Sequence, residues 1–299
     1  MAPSDDPELK TTEPISTETL APGLYITATP IGNAADITLR ALNVMRKCDA
    51  IVAEDTRVTA RLLALHGISR PLLIYNEHNA AAVEAKLLQR LRSGERLALV
   101  GDAGTPLISD PGLRLVKAAR DEGLSVFPIP GPSAVIAALS AAGLPTTPFL
   151  FAGFLATRQG ERRAVLKDLR PVPATLVFFE SPQRLCESLS DMAETLGDRE
   201  ACVAREITKL HEDMRRGSLS QLQAHYSANQ PRGEVVIIVA PGKVEGPDLA
   251  VVDSLLRQAL PFMPVKAAAS LVAEATQASR RAVYDRALAL AGKGPNAGE

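Results

Sequence analysis

The chain has 299 residues, 46% of them hydrophobic, which is enough for two ordinary domains and a smaller appendage. Its net charge is −1, and since the first twenty residues carry five acidic residues and one lysine, the remainder has a net charge of +3. This excludes a uniformly basic protein, although it permits a local surface for nucleic acid. Aromatic residues make up 4% and tryptophan is absent, which argues against a stacking platform for single strands.

The three cysteines, Cys48, Cys186 and Cys202, are isolated and form no CxxC pattern, so they are expected to be core thiols in a reducing compartment. The four histidines form no HExxH pattern, and no metal site is predicted. No apolar run reaches membrane-spanning length, and the first residues lack the pattern of a secretory signal. We therefore expect a cytoplasmic protein without a membrane partner.

Residues 1–21 are polar, acidic and rich in Pro, Thr and Ser, which predicts a disordered tail. Between 22 and 143, short apolar runs alternate with helical patterns, which predicts an N-terminal lobe with a parallel sheet and helices on both faces. The predicted strands are 24–28, 50–53, 72–74, 96–100 and 124–127. The predicted helices end near Lys47, His66, Arg92, Glu122 and Ala142. Thr38 or Asp36 would cap the first of these helices, and Asp110 with Pro111 would begin the fourth.

Two turn-rich loops, 101–112 and 128–133, each follow a short apolar run in this lobe. Loops that leave a buried strand and enter a helix place backbone N–H groups at the carboxyl edge of the sheet, where open α/β sheets bind ligands. Because small polar side chains are packed among their glycines and prolines, we expect the two loops to form two walls of one pocket.

Residues 143–148 are the best boundary to a second lobe, 148–242. Its predicted strands are 149–153, 175–179, 201–204, 214–217 and 234–240, with helices ending near Leu169, Leu196 and Tyr226, which favours a mixed α/β sheet. Residues 248–291 have the pattern of three short helices with Arg280, Arg281 and Arg286 in the last one. They fit either a helix-turn-helix unit or a packing or dimerisation appendage.

Several common nucleotide and hydrolase motifs are absent. No GxGxxG follows the first strand, and neither GxxxxGK[ST] nor GxSxG occurs. A pocket built from glycine, proline and small hydroxyl residues instead suits a cofactor held by backbone-facing groups with one or two carboxylates nearby.

Eight segments, in this order, together resemble one family. They are 24–33 (LYITATPIGN), 36–40 (DITLR), 53–57 (AEDTR), 102–106 (DAGTP), 108–112 (ISDPG), 128–134 (PIPGPSA), 178–182 (FFESP) and 204–206 (ARE). They are similar to the bacterial small-subunit ribosomal RNA (cytidine-2′-O)-methyltransferases of the tetrapyrrole methylase superfamily. The resemblance covers about 23–242, and 248–291 resembles the C-terminal helix-turn-helix appendage of that family.

The resemblance implies a two-lobed α/β fold with a cleft, S-adenosylmethionine as cofactor, a homodimer, and 2′-O-methylation of a cytidine in the 16S rRNA of the small ribosomal subunit. By position, it places the cofactor against Ile31, Asp102, Gly104, Thr105, Ile108, Ser133, Ala134, Phe179 and Ala204. This sequence departs from the pattern at Gly101, Asn76 and Gln183, and the last two changes weaken the case for a histidine base.

A general base for the ribose hydroxyl would be a carboxylate at a strand end, and the candidates are Asp102, Glu54 and Glu180. Asp102 lies beside the cofactor loop and is the first to test, although its sequence context slightly favours a residue that braces this loop through backbone N–H groups. Basic residues that could contact RNA phosphates are Arg57, Arg158, Arg162, Arg184, Lys209, Arg280 and Arg281. For Arg57 we favour pairing with Glu54, whereas for Arg184 we favour substrate contact over pairing with Glu180. Arg162 could simply lie on a solvated helix face.

Two other functions remain open from the sequence. A methylase of a small tetrapyrrole would share the fold and cofactor, but the TPIGN and SDPG loops and the appended helices favour the RNA enzymes. An RNA-binding assembly factor on the same scaffold would bind RNA without needing the cofactor.

Overall fold

The computed structural model describes residues 20–76, 79–242, 249–276 and 278–292. The predicted disordered tail lies almost entirely outside these residues. The chain divides into two compact units between Pro241 and Gly242, and each unit is considered by itself.

The first half of the larger unit contains a five-stranded parallel sheet with the order β3-β2-β4-β1-β5. Its strands are β1 (Gly23–Thr27), β2 (Ala50–Ala53), β3 (Leu72–Ile74), β4 (Arg96–Val100) and β5 (Val126–Ile129). The helices are α1 (Leu39–Lys47), α2 (Thr56–Leu65), α3 (Ala80–Arg92), α4 (Leu113–Asp121) and α5 (Ala134–Ala141). Apolar residues of α1 and α2 pack on one face of the sheet, and those of α3 and α4 pack on the other. The predicted parallel sheet covered on both faces is confirmed.

Local sequence signals predicted the starts of α1 and α4, and the structure confirms the first of them. Thr38 caps α1 by accepting a hydrogen bond from the backbone N–H of Ala41 at 3.1 Å, as predicted. The prediction that Asp110 caps α4 is wrong, because α4 begins at Leu113 and Gly112 precedes it with a φ of +134°. Leu107 and Ser109 have positive φ values, so the chain makes an irregular turn before α4 and Asp110 lies beside Gly101 instead.

The second half of the larger unit forms a mixed five-stranded sheet with the order β6-β7-β10-β8-β9. Its strands are β6 (Phe149–Phe154), β7 (Thr175–Glu180), β8 (Glu200–Arg205), β9 (Asp213–Ser218) and β10 (Val235–Val239). Only the β6–β7 pairing is parallel among the described strands of this sheet. The helices α6 (Gln159–Leu169), α7 (Leu185–Leu196) and α8 (Leu219–Ala228) cover one face. The expected mixed α/β sheet is confirmed.

Helix α5 connects the two sheets. Its sequence follows β5 of the first sheet, but Val135, Ala138 and Leu139 pack against Val177 and Val236 of the second sheet. The loop before α5 is thereby fixed between the carboxyl edge of the first sheet and one face of the second.

The smaller unit is helical in its described residues, with α9 (Leu249–Ala259), α10 (Val265–Thr276) and α11 (Arg280–Leu290). Val252 and Leu256 of α9 pack with Val272 of α10 and Val283 of α11 in a small core. One of the three arginines grouped in α11 serves this packing, because Arg286 donates two hydrogen bonds of 2.6 Å to Asp253. Arg280 and Arg281 are exposed.

Candidate active site

A cavity of about 520 Å³ lies within the larger unit, between the carboxyl edge of the first sheet and the second sheet. Such a volume is in the ordinary range of small-molecule sites. The first half of the chain lines it with Ile31, Glu54, Asp102, Ala103, Gly104, Thr105, Ile108, Ser109, Asp110, Ser133, Ala134 and Val135. The second half lines it with Phe154, Phe179, Glu180, Ser181, Pro182, Ile207, Gly233, Glu234, Val235 and Val236. The expected pocket between loops 101–112 and 128–133 is therefore present.

The structure brings eight of the nine predicted cofactor residues to this cavity. They are Ile31, Asp102, Gly104, Thr105, Ile108, Ser133, Ala134 and Phe179. Ala204 is the exception, because it is fully buried in β8 and does not line the wall. Its neighbour on β10, Val236, takes that place, since the two residues are paired across the sheet and Val236 reaches the cavity.

Three loops of the first lobe are tied to one another at the cavity. Thr29 and Gly104 exchange backbone hydrogen bonds of 2.8 and 3.0 Å, and the hydroxyl of Thr105 donates to the carbonyl of Pro132 at 3.2 Å. Gly104 has a φ of +77°, which favours glycine at that point. The loops after β1, β4 and β5 therefore form one braced wall.

The loops around the cavity also hold unusual backbone conformations. Among the described residues, the non-glycine residues with positive φ are Leu107, Ser109, Glu206 and Thr208. The first two lie in the loop after β4, and the other two lie in the loop after β8, and both loops contribute to the wall. Strained backbone of this kind tends to concentrate at functional sites, where the surrounding structure fixes it.

All three predicted catalytic carboxylates interact with other groups of the protein. The Oδ1 atom of Asp102 accepts a hydrogen bond from the backbone N–H of Asp55 at 3.0 Å, which is the bracing role considered for it. The buried carboxylate of Glu180 accepts hydrogen bonds from the N–H of Ser181 at 2.7 Å and the hydroxyl of Ser188 at 2.5 Å, and it pairs with Arg184 at 2.6 Å. Glu54, the third candidate, lines the cavity and interacts within the chain.

Asp110 is a cavity residue that sequence reasoning assigned to a helix cap. Its carboxyl group is half-buried, and no donor in the described part of the chain hydrogen-bonds to it. Burial and the nearby negative charge of Asp102 raise the pKa of Asp110 to about 6. The glycine at 101 could have drawn attention to it, because a Cβ there would lie 2.5 Å from the Asp110 Oδ2 atom.

The predicted RNA-contacting residues of the larger unit have different environments. Arg57 and Arg158 are both 85% exposed and form ion pairs with near neighbours in sequence, Asp55 at 2.6 Å and Glu161 at 3.3 Å. The partner of Arg57 is therefore Asp55 and not the expected Glu54.

Three other predicted RNA contacts are engaged more deeply in the fold. Lys209 bridges Glu206 at 2.8 Å and Glu234 at 2.6 Å, and Arg184 binds Glu180. The expectation that Arg162 contacts RNA is wrong, because its side chain is 2% exposed and pairs with the buried Asp191 at 2.6 Å. A buried guanidinium needs such a partner and presents no surface to a phosphate.

Within the described residues, no group of three His, Cys, Asp or Glu side chains is arranged to hold a metal ion. None of the described helices combines the length and apolar character needed to cross a membrane.

Two family models match this chain. The model described as "Tetrapyrrole (Corrin/Porphyrin) Methylases" matches residues 23–223, and the "RsmI C-terminal HTH domain" matches residues 246–291. Three similar proteins carry the name "Ribosomal RNA small subunit methyltransferase I". The Mesorhizobium japonicum protein is 50% identical over 91% of this chain and 93% of its own length. The Erythrobacter litoralis protein is 51% identical over 92% and 98%. The Escherichia coli O157:H7 protein is 45% identical over 89% and 94%.

Solved structures share the fold at low identity. A cobalt precorrin-4 methyltransferase of cobalamin biosynthesis is 21% identical, has a TM-score of 0.56, and matches 73% of this chain and 94% of its own. A Thermus thermophilus uroporphyrin-III C-methyltransferase, solved with S-adenosylhomocysteine, is 19% identical with a TM-score of 0.53, over 73% of this chain and 97% of its own. At these identities the likeness establishes the architecture alone.

Proposed function

The chain belongs to the tetrapyrrole methylase family, and within it to the proteins named ribosomal RNA small subunit methyltransferase I, and on this premise we propose that it methylates 16S rRNA. The methyl donor is S-adenosylmethionine, and the acceptor is the 2′-oxygen of a cytidine ribose in the small ribosomal subunit. The observation that carries the proposal is a ligand-sized cavity at the carboxyl edge of the first sheet, walled by the loops that resemble this family.

The residues of the cavity fit the proposed donor, which carries positive charge on its sulfonium and amino groups. Five carboxyl side chains reach the cavity wall, namely Glu54, Asp102, Asp110, Glu180 and Glu234. Apolar side chains such as Ile31, Ile108 and Phe179 offer surface for an adenine ring. The braced backbone of the loops 101–112 and 128–134 would hold the remaining polar groups.

The donor, when bound, supplies an activated methyl group, and the chain contributes position and electrostatics. The braced loops would fix the position of S-adenosylmethionine, and the strained turn at Leu107 and Ser109 belongs to one of these loops. Alignment of two reactants can lower a barrier by about 7–11 kcal/mol, and a well-placed base adds roughly 10²–10⁴-fold. The wall residues therefore have to hold their places to within small distances.

The RNA would be held outside this cavity by exposed cations. Arg57 and Arg158 in the larger unit, and Arg280 and Arg281 in the smaller unit, are exposed. Lysine and arginine contacts to phosphates displace counterions, so binding through them weakens with salt.

The family resemblance also supports a homodimer in the cytoplasm. The three cysteines form no disulfide among the described residues, which suits a reducing compartment. Light scattering after gel filtration measures the dimer directly, and a mass of one chain at micromolar concentration would contradict it.

The proposal is tested by methyl transfer from isotope-labelled S-adenosylmethionine to small ribosomal subunits from cells that lack this protein. We expect label in 16S rRNA, and mass mapping of the digested RNA should locate it on one cytidine ribose. In a Thr105→Arg variant the larger side chain would occupy part of the cavity, so the variant should lose both S-adenosylmethionine binding and methyl transfer. Label that enters only a precorrin-type tetrapyrrole, or no donor binding in calorimetry, would overturn the proposal.

A further inference from the structure

The carboxyl groups of the cavity differ in the hydrogen bonds and ion pairs that they already make within the protein. Glu180 is held by three donors, Glu234 pairs with Lys209, and Asp102 accepts the N–H of Asp55. Glu54 also interacts within the chain. Asp110 has no hydrogen bond or ion pair with the described residues, so its oxygens remain available to a ligand.

The geometry of the loop turns this carboxyl into the cavity. Ser109, immediately before it, has a φ of +66°, and Gly112, two residues after it, has a φ of +134°, so the backbone around Asp110 is irregular. The space for the side chain exists because residue 101 is glycine, since a Cβ there would meet the Asp110 Oδ2 atom at 2.5 Å. Asp110 therefore lies beside Gly101 and lines the cavity.

Asp102 is the charged neighbour that acts on the carboxyl group of Asp110. Asp102 is on the loop after β4, and Arg57 at the start of α2 lies near it. Glu180 at the end of β7 is paired with Arg184, and Glu234 before β10 is paired with Lys209. Glu54 after β2 completes the ionisable groups of the wall. Burial together with the charge of Asp102 raises the pKa of Asp110 to about 6, so it is ionised at pH 7.5 and still basic enough to take a proton.

We propose that Asp110 is the general base of the methyl transfer and accepts the proton of the attacking ribose hydroxyl. This inference rests on the proposed function. As the bond between the 2′-oxygen and the methyl carbon forms, the bond from that carbon to sulfur breaks and its electron pair stays on sulfur. The hydroxyl proton moves to an Asp110 carboxylate oxygen, and it is released to solvent after the product leaves.

The test is the Asp110→Asn variant, assayed between pH 5 and 9 on small ribosomal subunits. The wild type should show an acidic limb in kcat near pH 6, where protonation removes the base. The variant should lose at least 100-fold in kcat and should lack this limb. Because S-adenosylhomocysteine lacks the sulfonium charge, its affinity for the variant, measured by calorimetry at pH 7.5, should stay within threefold of its affinity for the wild type. Asp121→Asn, on the exposed face of α4 in a pair with Lys117, is the matched control and should behave as wild type.

A second measurement does not depend on catalysis or on the variant folding well. In the wild-type protein without ligand, the carboxyl carbon of Asp110, assigned by NMR, should titrate near pH 6. A titration near pH 4 would overturn the proposal, as would a variant kcat within threefold of the wild type or an acidic limb that persists in Asp110→Asn. If wild-type protein methylates no ribosomal RNA at any pH, the proposed function itself fails, which is a different result.

Discussion

The Oδ1 atom of Asp102 accepts the backbone N–H of Asp55 at 3.0 Å, and this bond joins the loop after β4 to the start of α2. Asp55 itself caps α2, since its side chain accepts the N–H of Arg57 at 2.8 Å. Two polar strand ends of the parallel sheet are thus locked side by side. The relationship assigns Asp102 to the support of the cavity wall, because one of its oxygens is committed to the backbone.

We expect Asp102→Ala to lower the free energy of unfolding by about 1 kcal/mol, because a backbone N–H at a helix start loses its acceptor. Affinity for S-adenosylmethionine should fall as well, since the loop at 102–105 loses its anchor. Asp102→Asn keeps an acceptor oxygen and should retain most of both. Urea unfolding and calorimetry measure the two effects. A 100-fold loss of kcat in Asp102→Asn, with unchanged donor affinity, would instead identify Asp102 as the base.

The buried ion pair of Arg162 leads to a second prediction. Arg162 binds Asp191 at 2.6 Å and also donates to the carbonyl of Thr157 at 3.1 Å, with both side chains of the ion pair almost fully buried. Arg162→Ala should destabilise the protein by about 3 kcal/mol, because it leaves a buried carboxylate with fewer donors.

Arg163→Ala is the matched control for Arg162. It removes a neighbouring arginine that also binds Asp191 at 2.6 Å but is 36% exposed, and it should cost about 1 kcal/mol or less. Urea denaturation of the two variants gives the comparison. Equal effects of the two substitutions would contradict the structural role of Arg162.

Sequence patterns predicted the fold well because its signals are local. Strand ends such as Ala50 and Ala53, and the cap at Thr38, follow from apolar runs and from hydroxyl chemistry that act within a few residues. The packing of α5 on the second sheet had no such signal, because Val135 and Leu139 would look the same if they covered the first sheet.

The site was predictable in its loops but not in its individual charges. Eight cofactor positions reach the cavity because the loops after β1, β4 and β5 and the end of β7 converge there. Arg162 and Arg163 are adjacent on one helix, and their sequence does not reveal that Arg162 is buried in an ion pair with Asp191. Asp110 followed by proline has the usual pattern of a helix start, but the backbone around it is irregular, α4 begins at Leu113, and its carboxyl lines the cavity instead.

The raised pKa of Asp110 predicts how the contribution of this carboxyl group to the free energy of unfolding changes with pH. Its pKa is about 6 in the folded protein, above the ordinary value of 3.8 expected for the unfolded chain, so burial of the charged form opposes folding. This penalty is fully present above about pH 6 and is relieved as the pH falls towards 4. Asp110→Asn should therefore be more stable than the wild type at pH 8, by about 1–2 kcal/mol after allowance for partial exposure.

The difference between Asp110→Asn and the wild type should nearly vanish at pH 4. Thermal unfolding at the two pH values measures it, with Asp121→Asn as the control for loss of a surface charge. A variant that is less stable than the wild type at pH 8 would mean that the Asp110 carboxylate makes a favourable contact in the folded protein.

The last prediction concerns the exposed arginines and the salt dependence of RNA binding. Arg158 is 85% exposed, lies directly before α6, and follows Phe154 of the cavity wall by four residues. If it contacts one phosphate, Arg158→Ala should weaken binding to the small-subunit RNA and lower the slope of log K against log salt by about 1. Arg92→Ala is the control. Arg92 is 53% exposed, lies at the end of α3, which does not line the cavity, and pairs with Glu122.

The smaller unit is tested in the same way with the double variant Arg280→Ala and Arg281→Ala. Its slope of log K against log salt should be lower by about 2 if both arginines bind phosphates. Filter binding between 50 and 300 mM KCl gives the slopes. Donor affinity should be unchanged in every variant, because none of these side chains lines the cavity. An unchanged slope in the double variant would assign α9, α10 and α11 to packing or dimerisation. Each arginine that binds a phosphate adds to the number of counterions released on RNA binding, so its removal has to lower the slope.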